Sequence, residues 1–184
     1  MSTITDATTD RLIAELYTVE GKAEIVDGRI ERMSPTGDRP NWAAGEIFVS
    51  LRAHAKKHGG RAYTDNVAFL VQLSNRKSFS PDAAYYTGPR AGMKFLPVPP
   101  DFAVEVRSEG DYSPSAERKM AAKRTDYFAA GTKVVWDVDL ESDEVVRVYR
   151  AGSPDAPKIY RRGETAEAEP AVPGWKTPVD ELFE

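Results

Sequence analysis

The chain has no cysteine and two histidines, His54 and His58. The missing cysteines exclude a disulfide-stapled scaffold, a thiolate zinc site and a cysteine nucleophile, and fit a reducing compartment. With its histidines only four residues apart, the chain has no imidazole cluster drawn from separate segments. No apolar run approaches the ~20 residues of a membrane span, and the opening MSTITDATTDRL carries no apolar signal core. A cytoplasmic protein with no membrane contact is expected. There is no excess of positive charge either: 25 Lys and Arg stand against 29 Asp and Glu, a net −4. That argues against a non-specific nucleic-acid coat while leaving room for a local basic groove. Internal repeats and low-complexity blocks are absent. What is present is an ordinary globular composition, 41% hydrophobic and 29% charged over 184 residues, enough chain to bury a core.

Residues 1–10, rich in Thr and Asp, are expected to be frayed and disordered, and residues 11–184 to form a single domain. A short helix over RLIAELYTV leads into AEIVDGRIERM, where Asp27-Gly28 between two β-type runs predicts a hairpin. Pro, Gly and Asn make residues 34–41 a loop. Over residues 42–58, Ile47, Leu51 and His54/Ala55 recur at helical spacing, and Gly59-Gly60 supplies the stop. RAYTDNVAFLVQL and FSPDAAYY read as strands, TGPRAGMKFLPVPP as a proline-rich loop and FAVEVRS as another strand. Ser113 before Pro114 opens a helix that Gly131 closes. TKVVWDVDL and EVVRVYR form a second hairpin around ESD, after which the tail alternates Pro, Gly and Glu up to VDELFE. Strands outnumber helices, so the fold class is α/β, mixed and strand-rich, with a central sheet flanked by helices.

Two short segments carry the chemistry. In FAVEVR the period of a strand puts Glu105 and Arg107 on the face opposite Phe102, Val104 and Val106. A glutamate inside a buried strand is costly unless a cation or a set of hydrogen bonds matches it. If Asp82 of SPDAA ends a neighbouring strand, the two carboxylates could grip one divalent ion, and oxygen-only ligation suits Mg²⁺. A plainer reading pairs Glu105 with Arg107 or turns it to solvent. On the helix that follows, Lys119, Lys123 and Tyr127 lie at i, i+4 and i+8 along one stripe. A lysine near a metal and a scissile phosphate could orient the attacking water and stabilise developing charge. Together with Arg118 and Arg124 the same lysines could equally form a solvated basic face.

Other features have simpler explanations. His54 and His58 have zinc-compatible spacing but no third ligand, and His58 suits a helix C-terminus. Trp136 and Trp175 are expected in the core or at its edge rather than as base-stacking platforms. The acidic run Asp137, Asp139, Glu141, Asp143 and Glu144 lacks the glycine of a calcium loop and reads as a solvated turn. Arg61, Arg76, Lys77, Arg90 and Lys94 either rim a nucleic-acid groove or are scattered surface charge.

In their order, AEIVDGRIERMSP, SPDAAYY and PPDFAVEVRSEGDYSPSAERKMAAKRTDYFAAGTKVVWDVD resemble the Uma-two family of restriction-endonuclease-like proteins, a branch of the PD-(D/E)XK nuclease superfamily. The resemblance spans about residues 17–150. It implies a restriction-endonuclease-like core and Mg²⁺-dependent hydrolysis of DNA phosphodiesters, with Mn²⁺ as a substitute metal. By this likeness Asp82 is the motif aspartate and Glu105 the second acidic ligand, and the Val106 carbonyl is a third metal contact. Arg107 stands where the standard pattern has lysine. Lys123, eight residues before Gly131, matches the lysine moved to the helix, with Lys119 as second choice. Glu24 matches the N-terminal acidic position, and Glu46 is a lesser candidate. Asn41-Trp42 departs from the His or Gln usual after the MSP loop. DNA is the implied partner and a homodimer the implied assembly, with the apolar stretches 95–98 and 179–183 as contact surfaces. Arg107 and the net negative charge also suit a nuclease-fold binding or assembly module. A hydrolase of smaller phosphate esters is the third reading.

Overall fold

The computed structural model describes residues 3–183. Helix α1 (Thr3–Leu16) packs Leu12 and Leu16 on Ala23 and Ile25 of strand β1 (Ala23–Val26). The stretch expected to fray is thus helical from Thr3, while Met1 and Ser2 lie outside the described residues. Once Leu12 and Leu16 anchor the C-terminal turns, each residue added upstream gains a hydrogen bond without a new nucleation cost. Strand β2 (Arg29–Arg32) returns antiparallel to β1. Asp27 at φ 48° and Gly28 at φ 72° make the tight turn that the Asp-Gly pair predicts.

Helix α2 (Asp38–His58) begins inside the expected loop and stops at Gly59, φ 89°. Pro40 sits in its first turn, where the missing N–H breaks no helical bond, and Asp38 lies at the positive end of the dipole. Strands β3 (Arg61–Thr64), β4 (Phe69–Leu70), β5 (Ser78–Phe79), β6 (Ala83–Tyr86) and β7 (Phe102–Val106) follow. Both long strands expected between residues 61 and 86 are interrupted. Asn66, at φ 61°, turns the chain after β3, and Pro81, which cannot donate to a ladder, separates β5 from β6. Asp82 is therefore left at the entrance of β6.

Helix α3 (Pro114–Ala130) is capped as expected: Ser113 Oγ accepts the Ala116 N–H at 3.1 Å, and Gly131 closes it at φ 113°. Strands β8 (Val134–Val138), β9 (Val146–Arg150), β10 (Ser153–Tyr160), β11 (Thr165–Glu167) and β12 (Lys176–Pro178) complete the chain. Pro154 and Pro157 disguise β10 in the sequence. It is an edge strand whose pairing to β9 breaks between Ser153 and Lys158, where prolines are tolerated.

The fold is mixed α/β around a six-stranded sheet of order β10-β9-β8-β7-β6-β3. Only β7 and β8 run parallel, joined by the α3 crossover. One face packs Phe102, Val104, Val106 and Trp136 against Ala43, Ala44, Ile47 and Leu51 of α2. The other packs Ala103 and Val135 against Tyr127 of α3 and Phe79. Trp136 and Trp175 are core residues, 5.1 Å apart between ring centroids. Val179 and Leu182 join the same core, so little of the apolar side of 179–183 is free for the contact expected of it; in 95–98 Leu96 is buried beside Phe69 and Tyr86, while Val98 is exposed. Among the described residues no helix is long and apolar enough to cross a membrane.

The acidic run is a solvated turn only in part: Glu141 and Asp143 are exposed. Asp137 and Asp139 are buried, Asp137 on Arg107 at 2.8 Å and Asp139 on the Tyr112 hydroxyl at 3.0 Å. Asp101, just before β7, accepts the Thr87 N–H and Oγ1, both at 2.7 Å, and Lys133 Nζ at 2.8 Å. Burial works to raise its carboxyl, but Lys133 and Thr87 outweigh that and hold it below the ordinary range. A depressed carboxyl adds stability above its unfolded pKa and loses it as pH falls through the folded value. Solvent screens the half-exposed Lys133, so Asp101→Asn should cost about 1 kcal/mol at pH 7, with the gap narrowing below pH about 4. Urea unfolding of both proteins at pH 7 and pH 3 checks this.

Candidate active site

The face opposite α2 gathers charge. Glu105 projects there because it alternates with Val104 and Val106, and Asp82 because it alternates with Ala83 and Tyr85, which lie in the α2-side core. Asp82 is clamped across the β6–β7 junction: its N–H donates to Val104 O at 3.0 Å, and its Oδ2 accepts the Val106 N–H at 2.7 Å. Glu105 Oε2 accepts Lys123 Nζ at 2.9 Å, and Oε1 accepts the Tyr127 hydroxyl at 2.7 Å. Lys123 Nζ also lies 2.8 Å from Glu24 Oε1. That carboxylate, on β1, accepts the Ser80 N–H at 2.8 Å and an arm of Arg76.

Two further cations complete the network. Arg76 reaches on to Asp126 at 2.9 Å and lies over the Phe79 ring. Lys22, directly before β1, holds Asp82 Oδ1 at 2.5 Å and Asp65 Oδ1 at 2.7 Å. Among the described residues, six ion pairs thus join five carboxylates (Glu24, Asp65, Asp82, Glu105, Asp126) to three cations (Lys22, Arg76, Lys123). Two negative charges remain in excess.

The environments of the two central glutamates differ. Burial, with Asp82 and Glu24 nearby, pushes the Glu105 carboxyl above its ordinary range despite Lys123 and Lys22. Burial would also raise Glu24, but Lys123 and Arg76 overcome it and hold that carboxyl low. Lys123 stays an ammonium: burial works to lower it, but Glu105 and Glu24 raise it more. Tyr127, buried and beside Glu105, is pushed well above its usual value and remains a hydrogen-bond donor. Carboxylates held apart in this way take different roles in acid–base and metal chemistry.

A divalent ion suits this donor set. Its donors are oxygens, it carries two uncompensated negative charges, and Ser80 Oγ is buried two residues before Asp82 with no partner among the described residues. No three carboxylates or imidazoles among the described residues are grouped as a ready-made cage, which leaves the pair Asp82 and Glu105, the arrangement Mg²⁺ uses with water and phosphate oxygens.

The structure brings Glu24, Asp82, Glu105 and Lys123 together, with Val106 at the end of β7 beside Asp82. Lys119 is exposed on α3, and Glu46 lies on α2, across the sheet from Glu105. Arg107 is not a partner of Glu105; it pairs with Asp137 and Glu117. Arg76, expected either at a groove rim or on the surface, is a buried strut instead. His54 and His58 stack on each other at 4.4 Å near the end of α2. Sequence reasoning missed Lys22, although its place two residues before Glu24, at the entrance of β1, carries the signal.

A family model named Uma2 and described as "Putative restriction endonuclease" matches residues 13–180. No curated protein matches the chain. Among solved structures the chain is similar to a "putative nuclease belonging to DUF820" from Anabaena variabilis, with a TM-score of 0.72 and 17% identity, covering 94% of this chain and 97% of that one. At that identity the likeness shows the fold, a restriction-endonuclease-like sheet with its helices.

Proposed function

This chain belongs to the Uma2 family of restriction-endonuclease-like proteins, and on that premise we propose that it is a Mg²⁺-dependent endonuclease hydrolysing DNA phosphodiester bonds. The observation that carries the reading is that Asp82, at the entrance of β6 and bonded to the Val106 N–H, lies beside β7 on the face from which Glu105 projects, with Lys123 touching Glu105. Asp82 and Glu105, with the Val106 carbonyl, would hold the ion. Bound there, Mg²⁺ or Mn²⁺ supplies Lewis-acid polarisation of the phosphate and a more acidic water.

The chain's own residues do the rest. The Val106 N–H fixes one oxygen of Asp82, and Tyr127 fixes one oxygen of Glu105. Lys123, anchored by Glu24, keeps its ammonium beside Glu105, where it orients the attacking water and offsets charge gathering on the phosphate. Glu24 acts through Lys123 and is a positioning residue. Lys123→Met should lower kcat by about 10²–10³-fold and change metal affinity far less, as read by steady-state cleavage beside a metal titration.

The experiment is cleavage of supercoiled plasmid by the full chain with Mg²⁺, Mn²⁺ or EDTA, beside Asp82→Asn. Nicking that needs metal and is lost in the variant supports the reading. Nicking that survives in Asp82→Asn contradicts it. No nicking by the folded protein points to a binding or assembly module, and hydrolysis of a small phosphodiester alone points to a smaller substrate. A homodimer would set two such sites against two strands, and a strict monomer in light scattering on DNA-bound protein removes that part.

A further inference from the structure

We infer that Lys22 is the resident counter-ion of this site: it holds Asp82 when no metal is bound, yields it to the incoming ion, and remains nearby on Asp65. The inference rests on the reading of Asp82 and Glu105 as a metal site and adds the residue that sets its affinity.

The geometry separates the two oxygens of Asp82. Oδ2 is taken by the Val106 N–H at 2.7 Å, and Oδ1 by Lys22 Nζ at 2.5 Å. An ion that reaches Asp82 through Oδ1 must displace the ammonium, because two cations cannot share one carboxylate oxygen at contact distance without strong repulsion. Lys22 has somewhere to go. The same Nζ lies 2.7 Å from Asp65 Oδ1, and the Asp65 side chain is 32% exposed against 12% for Lys22. The ammonium can therefore shift toward the more open carboxylate and stay paired.

Lys123 lacks that freedom. Both of its partners, Glu24 and Glu105, face the interior of the same network, and Glu24 is itself locked by Ser80 and Arg76. The two lysines thus divide the carboxylates between them: Lys123 stays with Glu105, and Lys22 guards Asp82. After displacement Lys22 adds a second cation at the rim of the site on the Asp65 side.

The consequence is a variant that binds metal more tightly than the natural chain, which a merely structural lysine would not give. Calorimetric titration of Mn²⁺ into the full chain without DNA would compare wild type, Lys22→Met and Lys22→Arg. Lys22→Met should bind about tenfold tighter, the scale on which one adjacent charge shifts a neighbouring site, and Lys22→Arg should bind close to wild type. Without metal, Lys22→Met leaves Asp82 uncompensated and melts below wild type. If it is unfolded at the assay temperature, Mn²⁺ must restore its circular-dichroism spectrum. Binding by Lys22→Met when wild type shows none also supports the inference. Equal or weaker binding by Lys22→Met than by wild type overturns the role of Lys22 and leaves the metal site standing. Binding by neither overturns both, as does failure of Mn²⁺ to refold the variant together with no binding by wild type. Failure to refold when wild type does bind overturns Lys22 alone.

Discussion

Glu105→Gln should lower metal-supported DNA cleavage by about 10²–10³-fold, the loss of several kcal/mol of charge stabilisation, while leaving the metal-free fold at least as stable as wild type. Charge on Glu105 comes at a cost: the side chain is half-buried, 22% exposed, and Asp82 and Glu24 add to the effect, so its carboxyl is raised. A raised carboxyl contributes stability below its unfolded pKa and loses that contribution as pH rises through the folded value. Holding this side chain ionised therefore works against the metal-free fold. Glutamine keeps an acceptor for the Tyr127 hydroxyl, and Lys123 keeps Glu24. Melting in EDTA alongside the cleavage assay reads both effects. A variant clearly less stable than wild type in EDTA would make Glu105 a structural residue.

Arg76→Leu should have the opposite profile, a loss of about 3–5 kcal/mol in stability, or about 10 °C in Tm for a chain of this size. The Arg76 side chain is 8% exposed and joins Glu24, 3% exposed, to Asp126. Removing the guanidinium leaves the Glu24 carboxylate buried with Lys123 as its sole remaining cation among the described residues. Lys123 would then be drawn toward Glu24 and away from Glu105. Adding Glu24→Gln to Arg76→Leu should recover part of the loss, because the uncompensated charge goes with it. At the surface, Arg162→Ala should leave stability close to wild type, since Arg162 and Asp180 are 57% and 50% exposed. Urea unfolding of these variants separates buried from surface pairing.

What could be read from the sequence was local. The Asp27-Gly28 turn, the Ser113-Pro114 start and Gly131 end of α3, and the outward face of Glu105 follow from backbone conformation, capping and the period of a strand. Where a polar residue breaks an apolar strand, as Glu105 does, one-dimensional reasoning reaches the site itself. Spacing alone leaves Lys119 and Lys123 equivalent; only the family likeness ranks Lys123 first. They share one stripe, one turn apart, and which meets Glu105 depends on how α3 lies across β7. The same holds for Arg76, whose partners on β1 and α3 come together only in the fold. Asp137 and Asp139 read as turn residues because the buried arginine that neutralises Asp137, Arg107, comes from a distant stretch of chain, just past the end of β7. Edge strand β10 was hidden by prolines that a central strand would not accept.

Whether Asp82 and Glu105 together make a divalent-metal site is read by calorimetric titration of Mg²⁺ into the full chain and into Asp82→Asn. Wild type should show a saturable site, lost in a variant that retains its folded circular-dichroism spectrum. Undiminished binding by Asp82→Asn, or a folded wild type that takes up no ion, would contradict it.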